Sequence, residues 1–353
     1  MIYTINKSKD ASIQIGDILS DLRNNKFKVR EIEISNRLLE GVNLEDIPIG
    51  LLLDSLCGVE VEGNILGKDL KCINFLFCNH PLYPSRVDED YEEEYQEAGL
   101  DHLCALFSYE DMECGKLSLY GEDIEGLTIY RGWMMKPKMY KVFYSLLETR
   151  GIILINTPDE YERYHLLPRW YDDFRDETVE TIWESQENVL LSAKQLEGSY
   201  IVKDFVKSRK HEWYDACFIQ DISDIRNTAK IIKTFIDRQG DSLVGGVVLR
   251  KFVKLKQIGF HEQSGMPISE EYRVFIYAGK ILAIDNYWTK KQEVDISKEE
   301  CRWIASIADR VQSNFVTVDV ARKEDGKLII MELGDGQVSG LQEFKAEEFY
   351  RSF

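Results

Sequence analysis

No uninterrupted apolar run in the 353 residues approaches the length of roughly 18 that a membrane-spanning helix requires, so no bilayer segment is expected. The first residues, Met1-Ile2-Tyr3-Thr4-Ile5 followed by Lys7, Ser8 and Lys9, lack the apolar core of an export signal, and a cytoplasmic location is expected. There is no C-x-x-C pair. The seven cysteines are odd in number and scattered, which excludes a zinc ribbon or a thioredoxin-like motif. Cys72, Cys78 and His80 offer part of a metal site, but buried thiols beside Phe75 and Phe77 are the better reading. Positive charge is also short: 44 Lys and Arg against 62 Asp and Glu leave a net charge of −18, which repels phosphate backbones and makes nucleic acid an unlikely partner. A Gly-x-Ser-x-Gly nucleophile elbow is absent, as are internal repeats and low-complexity linkers.

What is present is a foldable chain. Hydrophobic residues make up 44% and aromatics 11%, enough apolar surface to offset ordering entropy, and the length suits two or three domains. Residues 1–125 read as an N-terminal α/β region with short apolar runs such as Ile49–Leu53 and Cys72–Cys78. The acidic run Asp88–Glu94 reads as a solvated loop or helix start. Residues 126–188 read as one α/β unit. There, Pro137 starts a helix carrying Met139, Val142, Phe143, Leu146 and Leu147, a buried strand spans 151–155, and Thr157 caps a helix that begins at Pro158. Tyr161, Tyr164, Trp170 and Tyr171 are expected in packing, and neither His165 nor His211 is given a catalytic role.

From 189 to 353 the pattern sharpens. A strand at 199–205 ends in the basic loop Lys207–His211, and a helix capped by Ser223 carries Ile225, Ala229, Ile232, Phe235 and Ile236. An apolar strand at 247–253 is interrupted by Arg250 and Lys251. Strands 271–277 and 280–287 flank a tight turn at Ala278-Gly279, and Ser297 with Glu300 forms a capping box. A last hairpin joins 315–320 to 327–333. The class is α+β with antiparallel hairpins.

Charged residues inside these apolar strands carry the chemistry. Asp319 and Glu332 fall opposite one another across the last hairpin, and two carboxylates so close repel unless a cation joins them. Oxygen ligands suit Mg²⁺, which keeps waters and substrate phosphates as its other ligands. Lys203, within Ile201-Val202-Lys203, needs an anion, either a phosphate or an internal carboxylate. Arg250 and Arg273 offer planar forks that match carboxylate or phosphate oxygens, in a nucleotide site or in internal ion pairs.

This order of a lysine strand, basic loop, hinge strand, arginine hairpin and acidic last strands resembles the ATP-grasp superfamily, over about residues 126–342 and best from 199 onward. The set of Arg250, Arg273 and Lys203, with the tail Glu332–Gly340, looks most like the branch named for two arginines and a lysine. The resemblance implies ATP and Mg²⁺ as cofactors, with Lys203, Lys207 and Lys210 on the phosphates and the backbone of Lys251-Phe252-Val253 on adenine. It implies catalytic roles for Lys203, Arg250 and Arg273, and a metal held by Asp319 and Glu332. Gly334 stands where the family usually has an Asn, so Asp335 is the expected third ligand. The implied reaction is ligation: a carboxylate on a small molecule or peptide is phosphorylated and then attacked by an amine or similar nucleophile. A ligase or kinase acting on a nucleic-acid end and a non-catalytic ATP-binding assembly factor are the alternatives. A homo-oligomer is compatible with the sequence.

Overall fold

The structure is a computed structural model, and the residues it describes are 12–13, 17–20, 26–29, 32–33, 73–288 and 294–353. The expected run at Ile49–Leu53, and Cys72 with it, lie outside these residues. Four short N-terminal strands form two small antiparallel pairs: β1 (Ser12–Ile13) with β4 (Ile32–Glu33), and β2 (Asp17–Ser20) with β3 (Lys26–Val29).

The next sheet contains β5 (Asn74–His80), β6 (Tyr83–Val87), β7 (Cys104–Phe107), β8 (Leu119–Gly121), β9 (Gly126–Arg131) and β10 (Ile152–Leu154). Its main path runs β10-β9-β5-β7-β8; the first four of these strands are parallel and β8 is antiparallel, while β6 pairs with β5 off the path. Phe75, Leu76 and Phe77 are fully buried, because a parallel strand covered on both faces reads as a continuous apolar run. Helices α1 (Glu92–Asp101), α2 (Tyr109–Glu113) and α3 (Pro137–Glu148) accompany the sheet. Helix α3 starts at Pro137 as expected and buries Tyr140, Phe143, Tyr144 and Leu147. The sheet is continuous across residues 125 and 126, where the sequence led us to expect a division. No change of composition marks that point, because β9 simply adds to a sheet already begun.

Helix α4 (Pro158–His165) carries the full Thr157/Glu160 capping box, and α5 (Leu167–Trp170) follows. Tyr161, Tyr164, Trp170 and Tyr171 are all buried, as expected. The second sheet, β11 (Thr181–Glu184), β12 (Tyr200–Lys203), β13 (Phe218–Ile219) and β14 (Val247–Lys251), is antiparallel in the order β11-β14-β12-β13. It packs on α6 (Val189–Ala193), α7 (Trp213–Ala216) and α8 (Ile225–Gln239). The cap of α8 is Asp224, whose carboxylate accepts from the Asn227 N–H. Ser223, the expected cap, instead donates to Asp221 in the preceding turn.

After the hairpin β15 (Gln257–Phe260) and β16 (Pro267–Ser269), the third sheet holds β17 (Glu271–Tyr277), β18 (Lys280–Asn286), β19 (Phe315–Arg322) and β20 (Leu328–Asp335). Its antiparallel order is β18-β17-β19-β20. The turn Ala278-Gly279 has φ of 48° and 75°, the left-handed pair that a two-residue hairpin demands. Helix α9 (Lys298–Ala308) begins at the predicted Ser297/Glu300 box, and its Ile304, Ile307 and Ala308 cover one face of this sheet. Helix α10 (Ala346–Tyr350) ends the chain against the first sheet, with Phe349 and Tyr350 among Phe75 and Phe77. Among the described residues no helix is long and apolar enough to cross a membrane, and the five described cysteines are free.

Candidate nucleotide site

The second and third sheets meet along a row of opposed charges. Strand alternation sends Tyr200 and Val202 into the core under α8 and leaves Ile201 and Lys203 on the other face. On the third sheet Arg273, Asp319 and Glu332 form a cross-strand row, with Arg273 paired to Asp319 and Asp319 paired to Glu332. The expected opposition of the two carboxylates is therefore present in the register. A bulge follows immediately, between Asp319 and Val320.

Each carboxylate already has a cation. Arg273 donates through Nε (2.8 Å) and Nη2 (2.7 Å) to the two oxygens of Asp319, a bidentate pair in which both residues are buried. Burial works against the guanidinium's charge, but the Asp319 carboxylate outweighs it and holds Arg273 above its ordinary value. Lys203, 4% exposed, donates across the cleft to Oε2 of Glu332 at 2.6 Å. Arg250 lies 3.9 Å from the same oxygen and donates to the carbonyls of Met331 and Ile330 and to the Thr178 hydroxyl. Its Nε is buried without a partner among the described residues, and desolvation pulls its charge below the ordinary range. Lys203, Arg250, Arg273, Asp319 and Glu332 thus converge on one place.

The basic loop closes over the same cleft. Lys210 donates to the Tyr287 hydroxyl (3.2 Å) and sits over the rings of Tyr287 and Trp288, on the third sheet's side. Phe252, just past β14, packs with Phe218 and Trp213, and its N–H donates to the Ser199 carbonyl. These rings, with Ile201, Cys217, Met266 and Trp288, form an apolar pocket wall beside the charges. Lys251 points elsewhere: its ammonium is exposed and paired with Glu180. Only its backbone belongs to the hinge.

Asp335 is not part of the charged row, which corrects the expected third ligand. Three residues past Glu332 it lies on the opposite face of β20, fully buried. It accepts from Asn156 Nδ2 at 2.6 Å and from the N–H and side-chain amide of Gln337. Burial outweighs these bonds and lifts its carboxyl to about 7. Its role is to tie the end of β20 to the first sheet. Among the described residues no group of three or more Asp, Glu, His or Cys side chains is placed to hold a metal.

The sequence reading also missed participants. Glu271 precedes Arg273 by two residues, on the same face of β17; it accepts from the hydroxyl of Ser269 and the indole N–H of Trp288, and burial raises its carboxyl. That period-two spacing was the available signal. Arg131 gave a similar one, a charge closing the apolar run Leu127–Tyr130. Its Nη1 donates to the carbonyls of Gly336 (2.7 Å) and Ser339 (2.8 Å), while Nε and Nη2 hold Glu94. Cys78 is buried and lies 3.6 Å from the Tyr130 hydroxyl, in line with a packed thiol.

Two antiparallel sheets clamping a cleft, with a lysine strand on one side and an acidic strand pair on the other, define an ATP-grasp fold. Residues 191–353 match the family model for an ATP-grasp domain, clade family 3, and that region belongs to the ATP-grasp superfamily. Solved structures with this fold include D-alanyl-alanine synthetase A from Vibrio cholerae O1 biovar eltor (14% identity, TM-score 0.50, 80% of this chain and 93% of that one). A RimK domain ATP-grasp protein from Sphaerobacter thermophilus matches at 11% identity and TM-score 0.50, over 79% and 98% of the two chains. D-cycloserine synthetase DcsG matches at 13% and 0.50, over 79% and 97%. No curated protein matches the sequence.

Proposed function

We propose that the chain is an ATP- and Mg²⁺-dependent ligase of the ATP-grasp branch named for two arginines and a lysine. In this reading, one oxygen of a substrate carboxylate attacks the γ-phosphorus of ATP, and ADP departs. An amine or similar nucleophile then attacks the acyl carbon of the acyl phosphate, phosphate leaves, and the amine's surplus proton passes to solvent. The observation that carries the proposal is the meeting of Lys203 with Glu332 and Arg273 with Asp319 across one cleft. Internal ion pairs alone are a poor reason to bury five charged groups, since desolvating them costs more than most such pairs return. A magnesium triphosphate entering the cleft exchanges partners with them, its phosphates taking the cations and its metal the carboxylates.

Asp319 and Glu332 suit Mg²⁺ in donor chemistry, since it uses one or two carboxylates and completes its shell with water and phosphate oxygens. When bound, the ion supplies charge neutralisation at the transferring phosphoryl group. Lys203 and Arg273 hold phosphoryl oxygens, and Arg250 orients the acceptor carboxylate. Lys207 and Lys210 complete the phosphate side, and the backbone of Lys251-Phe252-Val253 meets adenine. In domain terms, residues 189–353 form the nucleotide-binding region, although its sheet begins earlier, at β11. The acceptor is a carboxylate-bearing small molecule or peptide. The names of the D-alanyl-alanine and D-cycloserine synthetases agree with ligase chemistry on this fold. A cytoplasmic location fits the free cysteines.

The test is turnover. The full chain is incubated with ATP, Mg²⁺ and pools of amino acids and short peptides, and ADP and phosphate are measured. ADP release that depends on one pool supports the ligase. Nucleotide-induced thermal stabilisation with no ADP from any pool overturns it in favour of an assembly factor.

A further inference from the structure

His165 is a buried histidine that none of the roles above employs. It ends α4, is 6% exposed, and lies against the ring of Tyr161 (centroids 4.8 Å apart). Two residues on, the Leu167 N–H donates to the Phe205 carbonyl at 2.9 Å, which pins the end of α4 to the turn between Lys203 and Lys207. Among the described residues no hydrogen bond reaches either ring nitrogen of His165, whereas most buried side-chain polar atoms have a partner. The surrounding charges are unevenly committed. The carboxylate of Glu160 accepts from the Thr157 N–H, Asp204 is filled by the N–H groups of Val206, Lys207 and Val244 and the Gln239 amide, and Asp335 is held by Asn156 and Gln337. That leaves the ammonium groups of Lys207 and Lys203 as the charges acting on the imidazole. Burial first, and then these two lysines, depress it to about 4, so the ring is neutral.

We propose that His165 is a phosphate-facing group of the nucleotide site and takes up a proton when a triphosphate binds. The inference rests on the nucleotide reading of Lys203 given above. An unpaired imidazole beside two lysines has a reason to exist if an anion comes between them. The anion cancels the lysine charges that keep the ring neutral and itself favours the imidazolium. The proton comes from solvent, no covalent bond changes, and the gain is a third cation that is present only when ligand is bound. This arrangement spares the empty cleft a further buried charge.

The sign follows from linkage. A group that binds its proton more tightly in the complex makes affinity rise as pH falls, by up to about tenfold per pH unit for one full proton. The experiment is calorimetric titration of the full chain with adenylyl imidodiphosphate and Mg²⁺ from pH 5.5 to 8, in two buffers of different ionisation enthalpy. The wild type is expected to take up more protons than His165→Asn and His165→Gln, and to gain affinity more steeply on acidification. Proton uptake equal in all three overturns the inference. The ¹³C shift of the His165 ring in histidine-labelled wild-type protein is a second readout that needs no variant. Movement to the charged form on ligand addition supports the proposal, and an unmoved signal in a nucleotide-saturated sample overturns it. A wild type that binds no nucleotide at all fells the nucleotide reading and this inference together, whereas binding with unchanged proton uptake fells the inference alone.

Discussion

Asp319 and Glu332 face each other directly on adjacent antiparallel strands, yet each is neutralised by a cation from a different sheet. Arg273, on the neighbouring strand β17, takes Asp319; Lys203, across the cleft on β12, takes Glu332. The two pairs differ in burial: Asp319 is enclosed, while the Glu332 side chain is 34% exposed. One pair therefore acts as structure, and the other is free to exchange.

Replacing Glu332 with Gln removes the exchangeable charge but keeps an oxygen able to accept from Lys203 Nζ. ADP formation is expected to fall by about 10²–10³, the usual loss when one electrostatic contact to a transferring group is removed. The melting temperature should move by only a few degrees, because Arg250 still has the Met331 and Ile330 carbonyls. Full turnover in Glu332→Gln sinks the metal assignment.

The enclosed pair behaves differently. Arg273→Leu leaves the Asp319 carboxylate buried and unpaired and frees the Gly340 carbonyl, which Nη1 reaches at 2.8 Å. Breaking one side of a buried pair typically costs about 3–5 kcal/mol, and urea denaturation reads it directly. The double change Arg273→Leu with Asp319→Leu should recover much of that stability without restoring turnover. A single-variant loss below about 1 kcal/mol would show that solvent reaches the pair.

Asp335 supplies a pH signature. Its carboxyl sits at about 7 in the folded chain against an ordinary 3.8, so between those values the native state keeps a proton that the unfolded state has lost. Its contribution to stability is thus complete at low pH and declines as pH rises through that window, by up to about 4 kcal/mol on linkage arithmetic. Asp335→Asn cannot titrate, so the stability difference between the two chains should shift in the variant's favour from pH 4 to pH 7. Parallel stability curves for the two chains would mean that the bonds from Asn156 and Gln337 already hold the ionised form.

How much of this the sequence disclosed depends on the range of the interaction. The Thr157 and Ser297 capping boxes, the Ala278-Gly279 turn and the Asp319/Glu332 opposition were all legible, since each depends on spacing within a few residues or across one hairpin. Asp335 was misplaced because its nearness to Glu332 in the chain hid the alternation that turns it to the other face. The parallel sheet from β5 to β10 was illegible, because crossovers join strands whose order no local pattern encodes. His165 and Lys203 were both visible as residues, but their neighbourhood is made by the Leu167 to Phe205 hydrogen bond, a tertiary contact.

The segment after β20 is held from two sides by arginines, which yields a prediction about order rather than chemistry. Arg131, 1% exposed, binds the carbonyls of Gly336 and Ser339, and Arg273 binds that of Gly340. Gln337 joins them, accepting from the Tyr130 N–H and donating to the Tyr140 hydroxyl. Arg131→Met keeps much of the volume but removes every donor, stranding two carbonyls and the Glu94 carboxylate. The expected result is a stability loss of about 3–5 kcal/mol, with hydrogen exchange accelerated at residues 336–340 ahead of the β5 and β19 amides. Adding Glu94→Gln should return part of the stability by removing the stranded charge, but none of the protection at 336–340, since the carbonyls still lack their donor. If exchange in the segment stays as slow as in β19 in either variant, Arg273 and the Asp335–Asn156 bond suffice to hold it, and Arg131 serves only to bury Glu94.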